Sequence, residues 1–166
     1  EDTANAASVI DEYYAVMEET AQRDGFRPHP KAVYMDLLRT LGPKHARIFS
    51  MRDADDAILC WDFCLVEGIR AQAEYGASTE AGRRLRQPPV LDFLAAEYLA
   101  RDGVREFDLM GAHSPRCPDL FSVGKYKIAF ASHFTDVPGG WDMPIKKNTY
   151  RALRAAKAIK DWRARS

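Results

Sequence analysis

Apolar positions near the start of the chain repeat at helical spacing. Ser8 and Asp11 stand three residues apart, as in a capping box, and apolar residues then recur every three or four positions toward Gly25. A second helical pattern begins at Pro30, a residue suited to the first turn of a helix, and stops at Gly42. The pattern predicts two amphipathic helices in succession.

Strand-forming residues follow in three short runs. The runs cover residues 46–51, 57–66 and 69–75, and they are separated by an acidic turn at residues 53–56 and by Gly68. Because runs joined by such short turns pair most readily with their neighbours in sequence, we expect an antiparallel meander.

The second half of the chain alternates helical and strand patterns. A polar stretch at residues 78–87 leads to a helix that Pro88 and Pro89 open and Gly103 ends. Residues 106–110 predict a short strand closed by Gly111, before a loop rich in Ser, Pro and Cys. The tail predicts a helical patch at residues 121–130, strands near residues 132–137 and 141–142, and a basic helix from about residue 148.

The order of these elements predicts an α/β (α+β) domain with a mixed, mostly antiparallel sheet flanked by helices. It resembles the acetyltransferase-like (GNAT) fold, and we expect residues 1–166 to form a single domain of that kind. In such a fold, the strands ending at residues 75–78 and 109–111 splay apart. The cleft between them is the expected site for an acyl donor.

Composition and charge exclude several classes of protein. The 166 residues suit one domain, and 24 basic against 24 acidic residues give no overall charge to attract nucleic acid. No apolar run is long enough to cross a bilayer and the start is unlike a signal sequence, so we expect a cytoplasmic protein without stable membrane insertion. Three cysteines are an odd number for a disulfide framework. We expect buried thiols, with a structural zinc at Cys60, Cys64, His113 and Cys117 as the less favoured alternative.

The segment expected to hold a diphosphate is poorly suited to coenzyme A. A CoA-dependent enzyme presents backbone N–H groups of a glycine-rich loop at a helix N-terminus. Here Gly82 stands alone, and Pro88 and Pro89 have no N–H to donate. The sequence therefore disfavours CoA as the donor.

Four segments, taken together, carry a resemblance. They are Arg-Asp-Gly-Phe at residues 23–26, Tyr-Gly-Ala-Ser at 75–78, Phe-Asp-Leu-Met-Gly at 107–111 and Tyr-Lys-Ile-Ala-Phe at 126–130. In order and spacing they resemble the Fem (FemABX) family, the methicillin-resistance-factor type of tRNA-dependent peptidoglycan aminoacyltransferases. The resemblance implies that the chain is the second, C-terminal domain of a two-domain enzyme, and whether an N-terminal domain precedes it stays open.

The resemblance implies that Lys127 is catalytic, its ammonium stabilising the oxyanion formed when an amine attacks an aminoacyl ester. Tyr126 stands where the family usually has Phe, and Ala129 replaces a common Gly. His29 and Val33 occupy positions where many relatives carry Arg and Tyr that help hold a nucleotide diphosphate. Histidine lacks the guanidinium fork and is mostly neutral near pH 7, so we expect weaker binding of a diphosphate. Both a UDP-linked and a lipid-linked muropeptide therefore remain candidate acceptors.

The candidate substrate-binding residues each have a structural alternative. Arg23 with Asp24 fits a local ion pair at a helix end, and Tyr75 fits packing on a neighbouring strand. Asp108, in a strand expected to be buried, needs a hydrogen-bonding partner or access to the cleft. The full candidate set is Arg23, His29, Tyr34, Tyr75, Asp108 and Tyr126.

The leading functional hypothesis is transfer of an amino acid from aminoacyl-tRNA to the amine of a peptidoglycan stem peptide. The ester is already activated, so neither a metal nor an organic cofactor is required. The alternatives are a CoA-dependent N-acyltransferase of a small molecule and a non-catalytic domain that binds tRNA or peptide. A basic stripe on the final helix, from Lys146 to Arg163, suits tRNA phosphates but is more often a solvated face.

Overall fold

The computed structural model describes residues 1–112, 126–131, 135 and 141–165, and the chain divides into the units Glu1–Ser132 and His133–Ser166. The first unit begins with two helices and three strands, α1 Ile10–Asp24, α2 Lys31–Leu41, β1 Ala46–Arg52, β2 Ile58–Glu67 and β3 Arg70–Ser78. It continues with α3 Glu80–Arg84, α4 Gln87–Arg101 and β4 Glu106–Asp108. The second unit contains α5 Lys147–Arg165.

Four strands form one sheet in the order β1-β2-β3-β4. The pairs β1–β2 and β2–β3 are antiparallel, whereas β3 and β4 are parallel and pair only from Arg70–Glu106 to Gln72–Asp108. A bulge in the β2–β3 ladder lies between Phe63 and Cys64. The predicted mixed, mostly antiparallel sheet flanked by helices is confirmed.

Alternating side chains of β2 build a core on each face of the sheet. Trp61 and Phe63 pack against α1 and α2, where the Trp61 indole donates to the Tyr13 carbonyl oxygen at 2.9 Å. Cys60 and Cys64 point to the opposite face and pack against α4. Because both faces of β2 are covered, its sequence is almost continuously apolar.

Several predicted boundaries move by one to three residues. Val9, and not Ser8, is the N-cap of α1, because Ser8 Oγ donates to the Asn5 carbonyl and the predicted capping box does not form. Pro30 is the N-cap of α2 rather than its first residue. Within the polar stretch at residues 78–87, the short helix α3 was not predicted.

The predictions for the tail have mixed outcomes. β4 is shorter than predicted, because it ends at Asp108 and Met110 adopts φ 63°. Tyr126 and Lys127 are helical, as expected, but residues 141–142 form no strand. The predicted strand at residues 132–137 lies almost entirely outside the described residues.

The basic residues of α5 cover a broad arc of the helix. Arg151, Arg154, Lys157, Lys160 and Arg163 are exposed and recur every three residues. Because an α-helix has 3.6 residues per turn, this spacing winds around the axis and does not form the predicted stripe. No helix in the described part of the chain has the length and apolarity that a membrane span requires.

Candidate functional site

Lys127 lies at the end of β4, where the parallel strands stop pairing. The last β3–β4 pair is Gln72–Asp108, and beyond it β3 continues without that partner. The Lys127 ammonium donates to the carbonyl oxygens of Leu109 at 2.6 Å and Gly111 at 3.1 Å, directly after β4. An ammonium has three N–H donors, so these two bonds leave one for a further partner.

Two carboxyl groups meet on the α4 face of the sheet, close to this lysine. Asp62 comes from the middle of β2, and Asp92 comes from the second turn of α4, where it is 4% exposed. The two carboxyls are close enough for the charge of Asp92 to affect the pKa of Asp62. Gly76, opposite Asp62 on β3, makes room for it, because a Cβ there would lie 2.9 Å from Asp62 Oδ1.

Burial raises the pKa of both carboxyls, and the charge of Asp92 adds to the increase at Asp62. Burial, and next the charge of Asp92, raise the pKa of Asp62 well above its usual range. Burial also raises the pKa of Asp92, to about 6, while the charge of Lys127 and the Tyr126 hydroxyl oppose the increase. Each carboxyl therefore keeps its proton to a higher pH than an exposed aspartate does.

The charges of this pair affect the pKa values of Lys127 and Tyr126. Burial lowers the pKa of Lys127, whereas the negative charges of Asp92, Asp108 and Asp62 raise it. Burial, and next the charge of Asp92, raise the pKa of Tyr126. The bonds of Lys127 to the Leu109 and Gly111 carbonyls fasten this turn to the end of β4.

Asp62 and Asp92 were not predicted as site residues from the sequence. Asp62 interrupts an apolar strand at a position that faces the same core as Cys60 and Cys64, and Asp92 interrupts the buried stripe of α4 after Leu91. Each is a carboxylate at an inward-facing position, which is costly without a partner. That signal was available from the sequence, but the pairing of the two depends on the fold.

The pair predicts an unusual dependence of stability on pH. Both folded-state pKa values lie above the ordinary 3.8, so between that pH and the folded values the native chain binds more protons than the unfolded chain. The free energy of unfolding therefore falls as the pH rises through this window. Asp62→Asn is expected to raise stability at pH 8 and to leave it unchanged near pH 3, as measured by urea unfolding. Glu97→Gln, at an exposed carboxylate, is the control, and equal effects of the two variants at pH 8 would contradict the assignment.

Most of the predicted binding residues lie away from Lys127. Arg23 pairs with Asp24 at 2.9 Å and donates to the Ser78 carbonyl at 2.6 Å, which ties α1 to the end of β3. Asp108 is exposed rather than buried, and its Oδ1 accepts the backbone N–H of Met110 at 2.7 Å. Only Asp108 and Tyr126 of the six binding candidates lie close to Lys127.

His29, Tyr34 and Tyr75 form an aromatic group on the α1–α2 face of the sheet. The ring of Tyr75 lies 5.0 Å from that of Tyr34 and 5.8 Å from that of His29, both edge to face. Tyr34 is 3% exposed within the core, and Tyr75 packs on Phe63 of the neighbouring strand. The structure places this group on the opposite face from Asp62 and Asp92, and a role in binding stays a prediction.

The N-termini of α3 and α4 have few N–H groups to offer a diphosphate. At α3, Thr79 Oγ1 accepts from the Gly82 N–H at 3.0 Å, and the Glu19 carboxylate accepts from the Glu80 N–H at 2.8 Å. At α4, the second and third residues are Pro88 and Pro89. Two N–H groups of α3 are occupied by side chains, and α4 lacks two N–H groups in its first turn, so neither N-terminus is well suited to phosphate.

Cys60 and Cys64 are buried thiols. Cys60 and Cys64 are free and buried, and burial raises the pKa of Cys60 to about 12. His113 and Cys117 lie outside the described residues. Across the part of the chain that is described, no group of His, Cys, Asp or Glu has the arrangement of a metal site.

The sheet, the flanking helices and the parallel pair that separates after Gln72 define an acyltransferase domain. The chain belongs to the family described as acetyltransferase (GNAT) domain, whose model matches residues 1–127. No curated protein matches the sequence significantly.

Solved structures show the same fold. An aminoglycoside acetyltransferase, HMB0005, from an uncultured soil metagenomic sample is 14% identical with a TM-score of 0.51, covering 86% of this chain and 91% of that one. A tetramutant of the BH1408 protein from Bacillus halodurans is 9% identical with a TM-score of 0.52, covering 82% and 96%. At such identities the likeness establishes the fold alone.

Proposed function

We propose that this acyltransferase moves an amino acid from aminoacyl-tRNA to the amine of a peptidoglycan precursor stem peptide. The observation that carries the proposal is the N-terminus of α3, where Thr79 binds the N–H of Gly82 and the Glu19 carboxylate binds the N–H of Glu80. A donor that needs its diphosphate held there is disfavoured. An aminoacyl ester needs no such cradle, and the resemblance to the Fem family points to that donor.

In the proposed reaction, the acceptor amine attacks the ester carbonyl carbon beside Lys127. The new C–N bond forms, the C–O bond to the ribose breaks, and the proton lost by the amine is balanced by the one gained by the ribose hydroxyl. The remaining N–H of Lys127 donates to the carbonyl oxygen as negative charge develops on it. Because the other two N–H groups are held by Leu109 and Gly111, the ammonium is oriented before the substrate arrives.

Residues 1–166 are proposed to be the C-terminal domain of a two-domain enzyme. The enzyme is proposed to act in the cytoplasm, because charged tRNA and peptidoglycan precursors are both available there. His29, Tyr34 and Tyr75 are proposed to bind the acceptor, as a UDP-linked or lipid-linked muropeptide. Arg23, Asp108 and Tyr126 complete the proposed binding set.

A CoA-dependent N-acyltransferase is the second candidate. The family match favours it, because the family is described by acetyl transfer. The proline-rich start of α4 opposes it. Calorimetry with acetyl-CoA separates the two, since tight binding supports the second candidate and its absence supports the first.

The full-length protein is expected to transfer one residue to a muropeptide. It is mixed with a set of charged tRNAs and with UDP-linked or lipid-linked precursors, and mass spectrometry follows the acceptor. The expected product is heavier by one amino-acid residue, and the product is lost when the tRNA is deacylated first. A product heavier by an acetyl group in a parallel reaction with acetyl-CoA, without transfer from any tRNA, would refute the proposal.

A further inference from the structure

Positive charge is concentrated in the last twenty residues or so of a chain whose net charge is zero. Residues 146–165 contain eight basic residues and one acidic residue, so the other positions hold 16 basic and 23 acidic of the 24 residues of each kind. We propose that α5, together with the apolar residues directly before it, binds the surface of an anionic lipid bilayer. Such binding is independent of Lys127 and of the acyl donor.

α5 has a basic arc and an apolar face. The basic arc consists of five exposed residues that recur every three positions, namely Arg151, Arg154, Lys157, Lys160 and Arg163. Successive members turn by about 60° around the helix axis, so the series leaves about one third of the circumference free. Ala152, Ala155, Ile159 and Trp162 recur every three or four positions and occupy that third, which is the apolar face. Ile159 is 54% exposed and Trp162 is 70% exposed.

Three large apolar side chains precede α5 and are almost fully exposed. Trp141 and Ile145 are each 91% exposed, and Met143 is 87% exposed. The Tyr150 hydroxyl donates to Asp142 Oδ2 at 2.5 Å, which fastens this segment to the first turn of the helix. Single exposed apolar residues are common on protein surfaces, but three of this size within five positions indicate a binding surface.

An anionic bilayer suits both the charge and the apolar side chains. A helix with Lys and Arg on one side and apolar residues that include Trp on the other lies in the plane of the membrane interface. Its basic side chains reach the lipid headgroups, while the apolar ones enter the upper part of the acyl chains. Trp141 and Trp162 suit the headgroup level, where tryptophan is enriched. The acidic remainder of the chain is repelled by the same surface, so residues 141–165 are the part that faces the lipid.

Two other partners fit this surface less well. The phosphates of an RNA would pair with the basic arc, and tryptophan rings stack on bases. The aliphatic side chains of Met143, Ile145 and Ile159, however, have no flat ring to stack. A second copy of α5 packed on the apolar face would bring two basic arcs together, and like charges repel. The bilayer is the partner that uses the charges and the aliphatic side chains at once.

The first test is sedimentation of the full-length protein with lipid vesicles. Binding is expected to vesicles of phosphatidylcholine and phosphatidylglycerol in equal parts, and not to phosphatidylcholine alone. Arg154→Gln combined with Lys157→Gln is expected to lower the partition coefficient about 30-fold, since each basic residue near an anionic surface contributes about fivefold. Arg39→Gln combined with Lys44→Gln, the same charge change at exposed positions of the first unit, is the control and is expected to have little effect. No binding by wild-type protein, or equal losses in the two double variants, would overturn the proposal.

Tryptophan fluorescence tests whether the apolar side chains enter the bilayer. Trp61 is buried in the sheet, whereas Trp141 and Trp162 belong to the proposed surface. In Trp162→Phe protein, mixed vesicles are expected to shift the emission to shorter wavelength, and lipids brominated on their acyl chains are expected to quench it. In protein with both Trp141→Phe and Trp162→Phe, only Trp61 emits and no quenching is expected. Sedimentation with vesicles but without quenching of Trp141 would refute the proposed surface.

An apolar double variant separates the bilayer from RNA. Met143→Ser combined with Ile145→Ser is expected to weaken vesicle binding at least about tenfold, because burial of these side chains is lost. The same variant is expected to leave the binding of deacylated tRNA unchanged. Vesicle binding equal to that of wild-type protein would contradict the proposal, and so would tRNA binding that depends on Arg154 and Lys157 in a protein that does not bind vesicles. Circular dichroism verifies that each variant is folded, and glutamine, a good helix former, preserves α5.

Discussion

Replacing Lys127 by alanine is expected to lower the kcat of acyl transfer about 100-fold to 1,000-fold, with a small change in KM. A single donor aimed at a developing oxyanion contributes on this order, and the effect is on the transition state rather than on binding. The position of the ammonium at the end of β4 supports the prediction, since two fixed carbonyls orient its remaining N–H. The measurement is single-turnover transfer with the full-length protein and its donor.

Two matched variants make the result interpretable. Lys44→Ala removes a lysine that is exposed, and it is expected to leave the rate unchanged. Lys127→Gln keeps a donor for the Leu109 or Gly111 carbonyl and removes only the charge, so it separates catalysis from the fastening of the turn. Circular dichroism and urea unfolding verify that each variant is folded. A folded Lys127→Gln protein with the wild-type rate would exclude Lys127 as the oxyanion donor.

The sequence predicted the sheet well because its signals are local. Short turns such as the one at residues 53–56 bring neighbouring runs together, and Asp53 Oδ1 there accepts the backbone N–H groups of Asp55 and Ala57. The helix ends at Gly25 and Gly42 were likewise predicted, because glycine is common where a helix ends. Both glycines adopt a positive φ in the structure. Patterns read within ten residues were therefore sufficient for most of the first unit.

The acid pair could not be found in that way. Asp62 and Asp92 are thirty positions apart, and they meet only because α4 crosses back over the sheet. The resemblance drew attention to Lys127 and Tyr126 but contained nothing about the groups that surround them. The sequence was therefore sufficient to predict Lys127 and Tyr126, which belong to a motif. Asp62 and Asp92, which lie near them, could be found only from the fold.

α3 depends on a close contact that local propensity would not predict. Gly82 lies in this short helix, and a Cβ at that position would be 2.3 Å from the Leu59 carbonyl oxygen and 2.9 Å from its carbon. Both atoms belong to the backbone of β2, so no side-chain rotation relieves the overlap. A glycine is required here by the distance between helix and strand, and not by its φ.

Gly82→Ala is therefore expected to lower the free energy of unfolding by about 2–3 kcal/mol, since overpacking against a fixed backbone costs this much. Helix propensity alone predicts the opposite sign, because alanine in a helix is about 1 kcal/mol better than glycine. Gly76→Ala is the matched control, since its nearest neighbour is a side-chain atom, Asp62 Oδ1 at 2.9 Å, which can move. Urea unfolding decides between the two expectations. A stabilised Gly82→Ala protein would mean that α3 does not lie against β2, and the positions of α4 and of Asp92 above the sheet would then have to be reconsidered.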